Sequence, residues 1–133
     1  MDRQVARGRI EVGSHERIVY REQSDGPDLV ELHITERFVG DIEGPGTVRF
    51  LQAARKDGSA SLCGIELVEG SLAGRSGSFL LQDEATREGT TVRGRWWVIP
   101  RSGTGGLAGL RGEGDFEAES GRGATWTLEY WFE

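Results

Sequence analysis

The chain is 133 residues long, which suits one domain with a single core or a single lined cavity. Its net charge of -6 leaves no basic patch to displace phosphate counterions, which argues against a nucleic-acid partner. Cys63 is the sole cysteine, so no internal disulfide can form and a reducing compartment is expected.

The N-terminal MDRQVARGRIEVG lacks the apolar run of a signal peptide, and no segment is apolar enough to span a bilayer, so a soluble, cytoplasmic protein is expected. The 21 glycines against three prolines point to tight bends rather than disorder, because large apolar residues recur throughout. Arginines are mostly interleaved with acids, as in Glu36-Arg37 and Arg87-Glu88, the pattern of a solvated face.

Helical periodicity is nearly absent, and short alternating runs recur instead. Val5–Gly13 sets Gly8, Ile10 and Val12 against charged neighbours, Ser14 breaks the pattern, and His15–Gln23 resumes it. Ser24–Asp28 is a turn with Gly26 and Pro27 as punctuation. In Leu29–Val39, Val30, Leu32, Ile34 and Phe38 oppose Glu31, His33, Thr35 and Arg37, and Gly40–Gly46 bends the chain. Thr47–Arg55 and Ser61–Glu69 form the next pair, connected by the hairpin residues Lys56–Ser59. After the turn Glu69–Gly77 come Ser78–Asp83, a polar turn at Ala85–Gly89, and Thr91–Pro100. The glycine-rich Pro100–Phe116 follows, overlapping a strand near Glu113–Ala118, and Thr125–Glu133 ends the series. Eight or nine evenly spaced strands with hardly a helix indicate an all-β closed antiparallel barrel or a sandwich. Eight strands enclose an interior just wide enough for side chains or one small ligand.

Gly103-Thr-Gly105-Gly-Leu-Ala108 fits a dinucleotide-binding pattern, but such a site needs a helix next, and Gly109, Gly112 and Gly114 forbid one. There is no GK[ST] phosphate loop and no G-x-S-x-G elbow. His15 and His33 stand alone, without i, i+4 pairing or a cysteine cluster, so no metal site and no cofactor are expected.

Several pieces follow one another at a familiar spacing: Gly40-Asp-Ile-Glu-Gly44, Asp57-Gly-Ser-Ala60, Gly64 with Glu66, Gly70 to Phe79, Ser102 to Gly114, and the aromatic ending Tyr130-Trp-Phe-Glu133. Together they resemble a bacterial domain-of-unknown-function family, number 3224, over nearly the whole chain. The last glycine motif is also similar to the GTG-x-(Phe/Leu)-x-(Gly/Ala)-x-x-G element of allene oxide cyclases and plant dirigent proteins. The resemblance implies one domain over residues 1–133, an eight-stranded antiparallel, calycin-like barrel of the allene-oxide-cyclase type. The better-known relatives steer cyclisation or radical coupling of apolar substrates without a cofactor. This chain departs from the family pattern in having His15 where Trp is usual, Asp83 where His is usual, and Trp97 and Trp131 where small or acidic residues are expected.

Period-two alternation turns Trp126, Leu128, Tyr130 and Phe132 inward, with Val92, Trp96 and Val98, with Phe79, Leu81 and Asp83, and with Val48, Phe50 and Gln52. For Ser61–Glu69 either face could be the inner one, and the resemblance favours Leu62, Gly64, Glu66 and Val68. Glu66 and Asp83 are then the candidate catalytic groups, one as general acid and the other as base or cation stabiliser, since burial and mutual repulsion raise carboxyl pKa values. Phe50, Gln52, Phe79, Trp96, Trp126 and Tyr130 are the candidate ligand wall. The plainer alternative makes Glu66 a structural carboxylate bonded to turn amides, Asp83 a solvated strand end, the aromatics packing, and Cys63 a small apolar filler.

Outward-pointing Ile65, Leu67, Leu80, Trp97, Ile99 and Trp131 are more apolar than a monomer requires, and a homo-oligomer through that face is expected. Three functions fit the sequence: a cofactor-independent isomerase or cyclase acting on an apolar small molecule, a lipocalin-like binding protein with the same cavity, and a structural homo-oligomer with a filled barrel.

Overall fold

A computed structural model describes residues 2–120 and 122–133. Eight antiparallel strands close on themselves in sequence order. They are β1 (Gln4–Arg21), β2 (Asp28–Gly40), β3 (Ile42–Ala54), β4 (Ala60–Leu72), β5 (Arg75–Glu88), β6 (Thr91–Val98), β7 (Leu110–Glu119) and β8 (Gly123–Phe132). The barrel closes where Gln4–Ile10 of β1 pairs with Tyr130–Ala124 of β8. Among the described residues no helix is long and apolar enough to cross a membrane.

Alternation builds each strand. In β3 burial switches residue by residue from Ile42 to Gln52, so Val48, Phe50 and Gln52 face inward while Thr47, Arg49 and Leu51 face out. The undecided strand, now β4, turns Leu62, Glu66 and Val68 inward and leaves Cys63, Ile65 and Leu67 exposed. Cys63 is therefore a surface thiol and no filler of the core.

Several expected boundaries move. The two runs expected on either side of Ser14 are one 18-residue strand, its register shifting between Val12 and Ser14. That extra residue is a β-bulge, and Ser14 is anchored there by its backbone N–H and hydroxyl to Thr35 Oγ1, at 3.0 and 2.6 Å. The bend expected over Gly40–Gly46 shrinks to Asp41, and the turn expected at Ala85–Gly89 begins only after Glu88. The β4–β5 hairpin turns on Ala73 and Gly74, both at positive φ (55° and 75°), the two-residue geometry that matches strand twist.

The glycine-rich stretch divides between Pro100–Gly109, which crosses one end of the barrel through a single 3-10 turn (Gly105–Leu107), and the start of β7. Leu107 is fully buried and plugs that end against Phe79, Val98 and Leu110. A layer of rings lies above this plug. Trp96 is 5.9 Å from Phe38, 6.3 Å from Trp126 and 5.0 Å from Phe116, measured between centroids. Both indole N–H groups are satisfied, Trp96 donating to the Thr127 carbonyl and Trp126 to that of Arg9, each at 3.0 Å. The plugged end is packed apolar core, and the cavity lies beyond the ring layer.

Candidate functional site

A cavity of about 390 Å³ opens at the end of the barrel opposite Pro100–Gly109. Its walls are mostly apolar, with Leu32, Ile34, Phe50, Leu62, Val92 and Phe116 contributing from five different strands. Its interior polar groups are Glu36, Gln52, Glu66 and Asp83, and Trp96 forms part of the base. Glu66, Asp83 and Gln52 retain 1%, 2% and 3% of their exposure, an unusual depth for two acids and an amide.

Register explains the meeting of the carboxyls. Glu36 of β2 stands opposite Gly46 of β3, and Glu66 of β4 stands opposite Val48. Gly46 leaves a gap in the inner surface of β3, and a Cβ there would lie 2.6 Å from Glu66 Oε2 and 2.9 Å from the Phe38 ring. Through that gap Glu36 and Glu66 reach hydrogen-bonding contact across an intervening strand. Asp83 lies beside them, one strand on, paired with Gly64 and Trp96.

Two carboxylates cannot hydrogen-bond unless one keeps its proton. Burial holds Glu66 well above the usual carboxylate range, and its donation to Glu36 and the charges of Glu36 and Asp83 add to that. Burial also raises Asp83 well above its ordinary value, helped by Glu36. Glu36 is raised by burial and pulled back by accepting from Glu66. The cluster thus holds a donor in Glu66, an acceptor in Glu36 and, in Asp83, a third carboxyl whose pKa burial raises. Asp83 Oδ1 and Gln52 Nε2 are buried without a hydrogen-bond partner, and Glu66 Oε2 has no conventional donor.

Of the side chains expected at a site, Glu66, Asp83, Phe50, Gln52 and Trp96 line this cavity. Phe79, Trp126 and Tyr130, expected on the same wall, belong instead to the packed end. They face inward as the alternation requires, but Trp126 is part of the ring layer itself, and Phe79 and Tyr130 pack in the closed end, where the tyrosine hydroxyl meets Gln4 at 3.0 Å. Asp83 is mid-strand and buried rather than a solvated strand end, and no backbone amide bonds Glu66 among the described residues. Alternation alone did not single out Glu36 or Arg87, whose acid–base interleaving suggested a solvated face; both line the cavity. His15 and Arg17 of β1 line it as well, near the mouth. The missing signal for Glu36 is its parity: it falls in step with Val30, Leu32, Ile34 and Phe38. Among the described residues no three His, Cys, Asp or Glu side chains are placed to hold a metal ion.

A solved structure of a protein of unknown function from the DUF3224 family, from Shewanella oneidensis MR-1, superposes with a TM-score of 0.81 at 27% identity over 99% of each chain. No curated protein matches. Residues 6–130 match the family model for "Protein of unknown function (DUF3224)", and the chain belongs to that family.

Proposed function

We propose that the barrel binds a small, mostly apolar molecule in this cavity and moves a proton on it, as a cofactor-independent isomerase or cyclase. The observation that carries the reading is the set of buried polar atoms left unpaired in one apolar space, Asp83 Oδ1 and Gln52 Nε2 beside the Glu36–Glu66 contact. An unsatisfied buried polar group costs about 1–3 kcal/mol, a cost that a ligand with one or two polar atoms at the base of the cavity would recover. Isomerisation by proton transfer needs an acid and a base and consumes nothing. Glu66 holds the proton to give and Glu36 the lone pairs to receive one, so the pair supplies both roles. The cyclase version draws on the likeness of the glycine motif to allene oxide cyclases.

A non-catalytic carrier is the second reading, favoured by Gln52, whose unpaired amide recognises a ligand without moving a proton. Mass spectrometry of molecules extracted from purified wild type and Glu66→Gln separates the two. The isomerase predicts two isomers of equal mass but different retention, since the variant retains unconverted substrate. Identical molecules from both proteins would leave only the carrier, and no extractable or bindable molecule would remove both.

A further inference from the structure

The cavity's mouth carries the charge opposite to that of its interior. Arg17 of β1 and Arg87 of β5 both line it, with His15 beside them. Neither arginine lies within salt-bridge distance of an acid among the described residues, although acids outnumber bases 22 to 16 in this chain. Asp28 feels the charge of Arg17, but its carboxylate is engaged by Lys56 Nζ at 3.1 Å and by the Gln23 amide at 3.0 Å. Arg87 is half-buried. One end of its guanidinium reaches the Gly58 carbonyl at 3.5 Å, while its Nε is buried with no partner at all. Glu119, the acid at the same rim, is occupied by the hydroxyls of Thr90 and Thr91 at 2.9 and 2.7 Å.

A buried guanidinium N–H without an acceptor is costly, and two uncompensated arginines on one opening form a receptor for an anion. The interior excludes that anion, because Glu36, Glu66 and Asp83 already crowd one another there. Between mouth and interior the wall is hydrocarbon and aromatic. We propose that the ligand is an amphipathic monoanion, a carboxylate carried on an apolar chain or ring, with its head held between Arg17 and Arg87 and its body directed down toward the carboxyl cluster. This rests on the reading of the cavity as a ligand site, and it adds the ligand's class and orientation. The orientation places the atoms farthest from the head at Glu66, so any proton transfer would occur remote from the carboxylate.

The test uses the full-length protein and a neutral fluorophore, N-phenyl-1-naphthylamine, displaced in turn by decanoate, 1-decanol and decylamine at pH 7.5. Decanoate is expected to compete at concentrations roughly tenfold or more below decanol, the usual advantage of a hydrogen bond to a charged group. Arg17→Met and Arg87→Met should each bring decanoate close to decanol while leaving decanol unchanged. Arg17 is exposed on β1, so its variant keeps the test open should Arg87→Met unfold. Equal competition by decanoate and decanol, a preference that survives in Arg17→Met, or decylamine as the best competitor would each overturn the anion assignment while the cavity reading stands. Failure of the fluorophore and all three competitors to bind would remove the cavity reading, and this proposal with it.

Discussion

Gly46 decides what the acids can do. It is the one inward position of β3 between Ile42 and Gln52, apart from Gly44 near the strand's start, that contributes no side chain, and Glu36 and Glu66 meet across it. Gly46→Ala is expected to cost about 1–3 kcal/mol through overpacking against Phe38 and Glu66, read by denaturant unfolding. The carboxyls themselves make a second prediction. Glu66 and Asp83 bind protons more tightly folded than unfolded, so the folded state holds more protons and stability falls as pH rises from about 4 toward their raised values. Glu66→Gln removes the Glu66 share of this dependence while its amide can still donate to Glu36. Melting temperatures should therefore match wild type near pH 4 and exceed it at pH 8; a wild-type melting temperature that rises over that interval would contradict the sign. Asp83 was legible because an acid in step with Phe79 and Leu81 has nowhere to go but inward, whereas alternation left Ser61–Glu69 undecided and only the family resemblance turned Glu66 inward with Leu62 and Val68. Glu36 obeys the same parity, yet its neighbour Arg37 made it look like part of a solvated pair. Arg87 was hidden by a strand ended too early: continuing β5 past Asp83 through Ala85 puts Arg87 on the inner face.

Among the elements, β1 differs most from its reading as two strands. A break in alternation marks both a strand end and a bulge, and only the partner distinguishes them. Here β2 continues through the break, pairing Val12 with Glu36 and Ser14 with Thr35. The bulge also shifts the inward phase, so that Val12 and His15, three residues apart, both face the cavity. Among the described residues, the strand loses β8 beyond Ile10 and is paired on one edge only, against β2. Residues 11–21 are exposed throughout, consistent with a strand that forms one side of the cavity mouth rather than part of the closed wall. Hydrogen exchange should show it: alternate amides of Ser14–Arg21 exchange fast while those directed at β2 are slowed, whereas β3 and β4 are protected along their lengths. Uniform protection across Ser14–Arg21 would mean that another strand covers the edge. The glycine-rich connection turns the chain at one end of the barrel, but what closes that end is Leu107 on its one helical turn, a side chain placed by a turn too short for periodicity to reveal.

At the scale of the molecule, one end is sealed by packing, the other opens to a polar-based cavity, and the outer surface has an apolar face of its own. Leu51, Ile65 and Leu67 are 53%, 52% and 36% exposed on adjacent strands β3 and β4, and half-buried Leu80 of β5 joins them around a shallow depression. Trp97 and Ile99 continue the surface beyond β5, where Trp97 pairs with Gln82 and the Ile99 amide bonds the Leu80 carbonyl at 2.8 Å. Trp131, expected with them, is already engaged, since the Arg3 guanidinium lies 4.2 Å over its ring and that of Arg111 at 6.0 Å. The interface to expect is therefore narrower than the sequence implied, centred on Ile65 and including Leu51. A second copy suits it because the depression holds one charged side chain, Arg49, and no acid, so two such faces can meet through hydrocarbon with the arginines displaced to the rim. Light scattering at tens of micromolar should give twice the chain mass of 14.6 kDa for the wild type and the chain mass itself for Ile65→Glu, with unfolding of the barrel otherwise alike. Cys63 lies in the same depression and supplies an independent reading. Its maleimide labelling should slow as wild-type concentration rises and stay constant in Ile65→Glu. A wild type that remains monomeric at these concentrations, with Cys63 labelling indifferent to dilution, would leave this face as ordinary exposed surface.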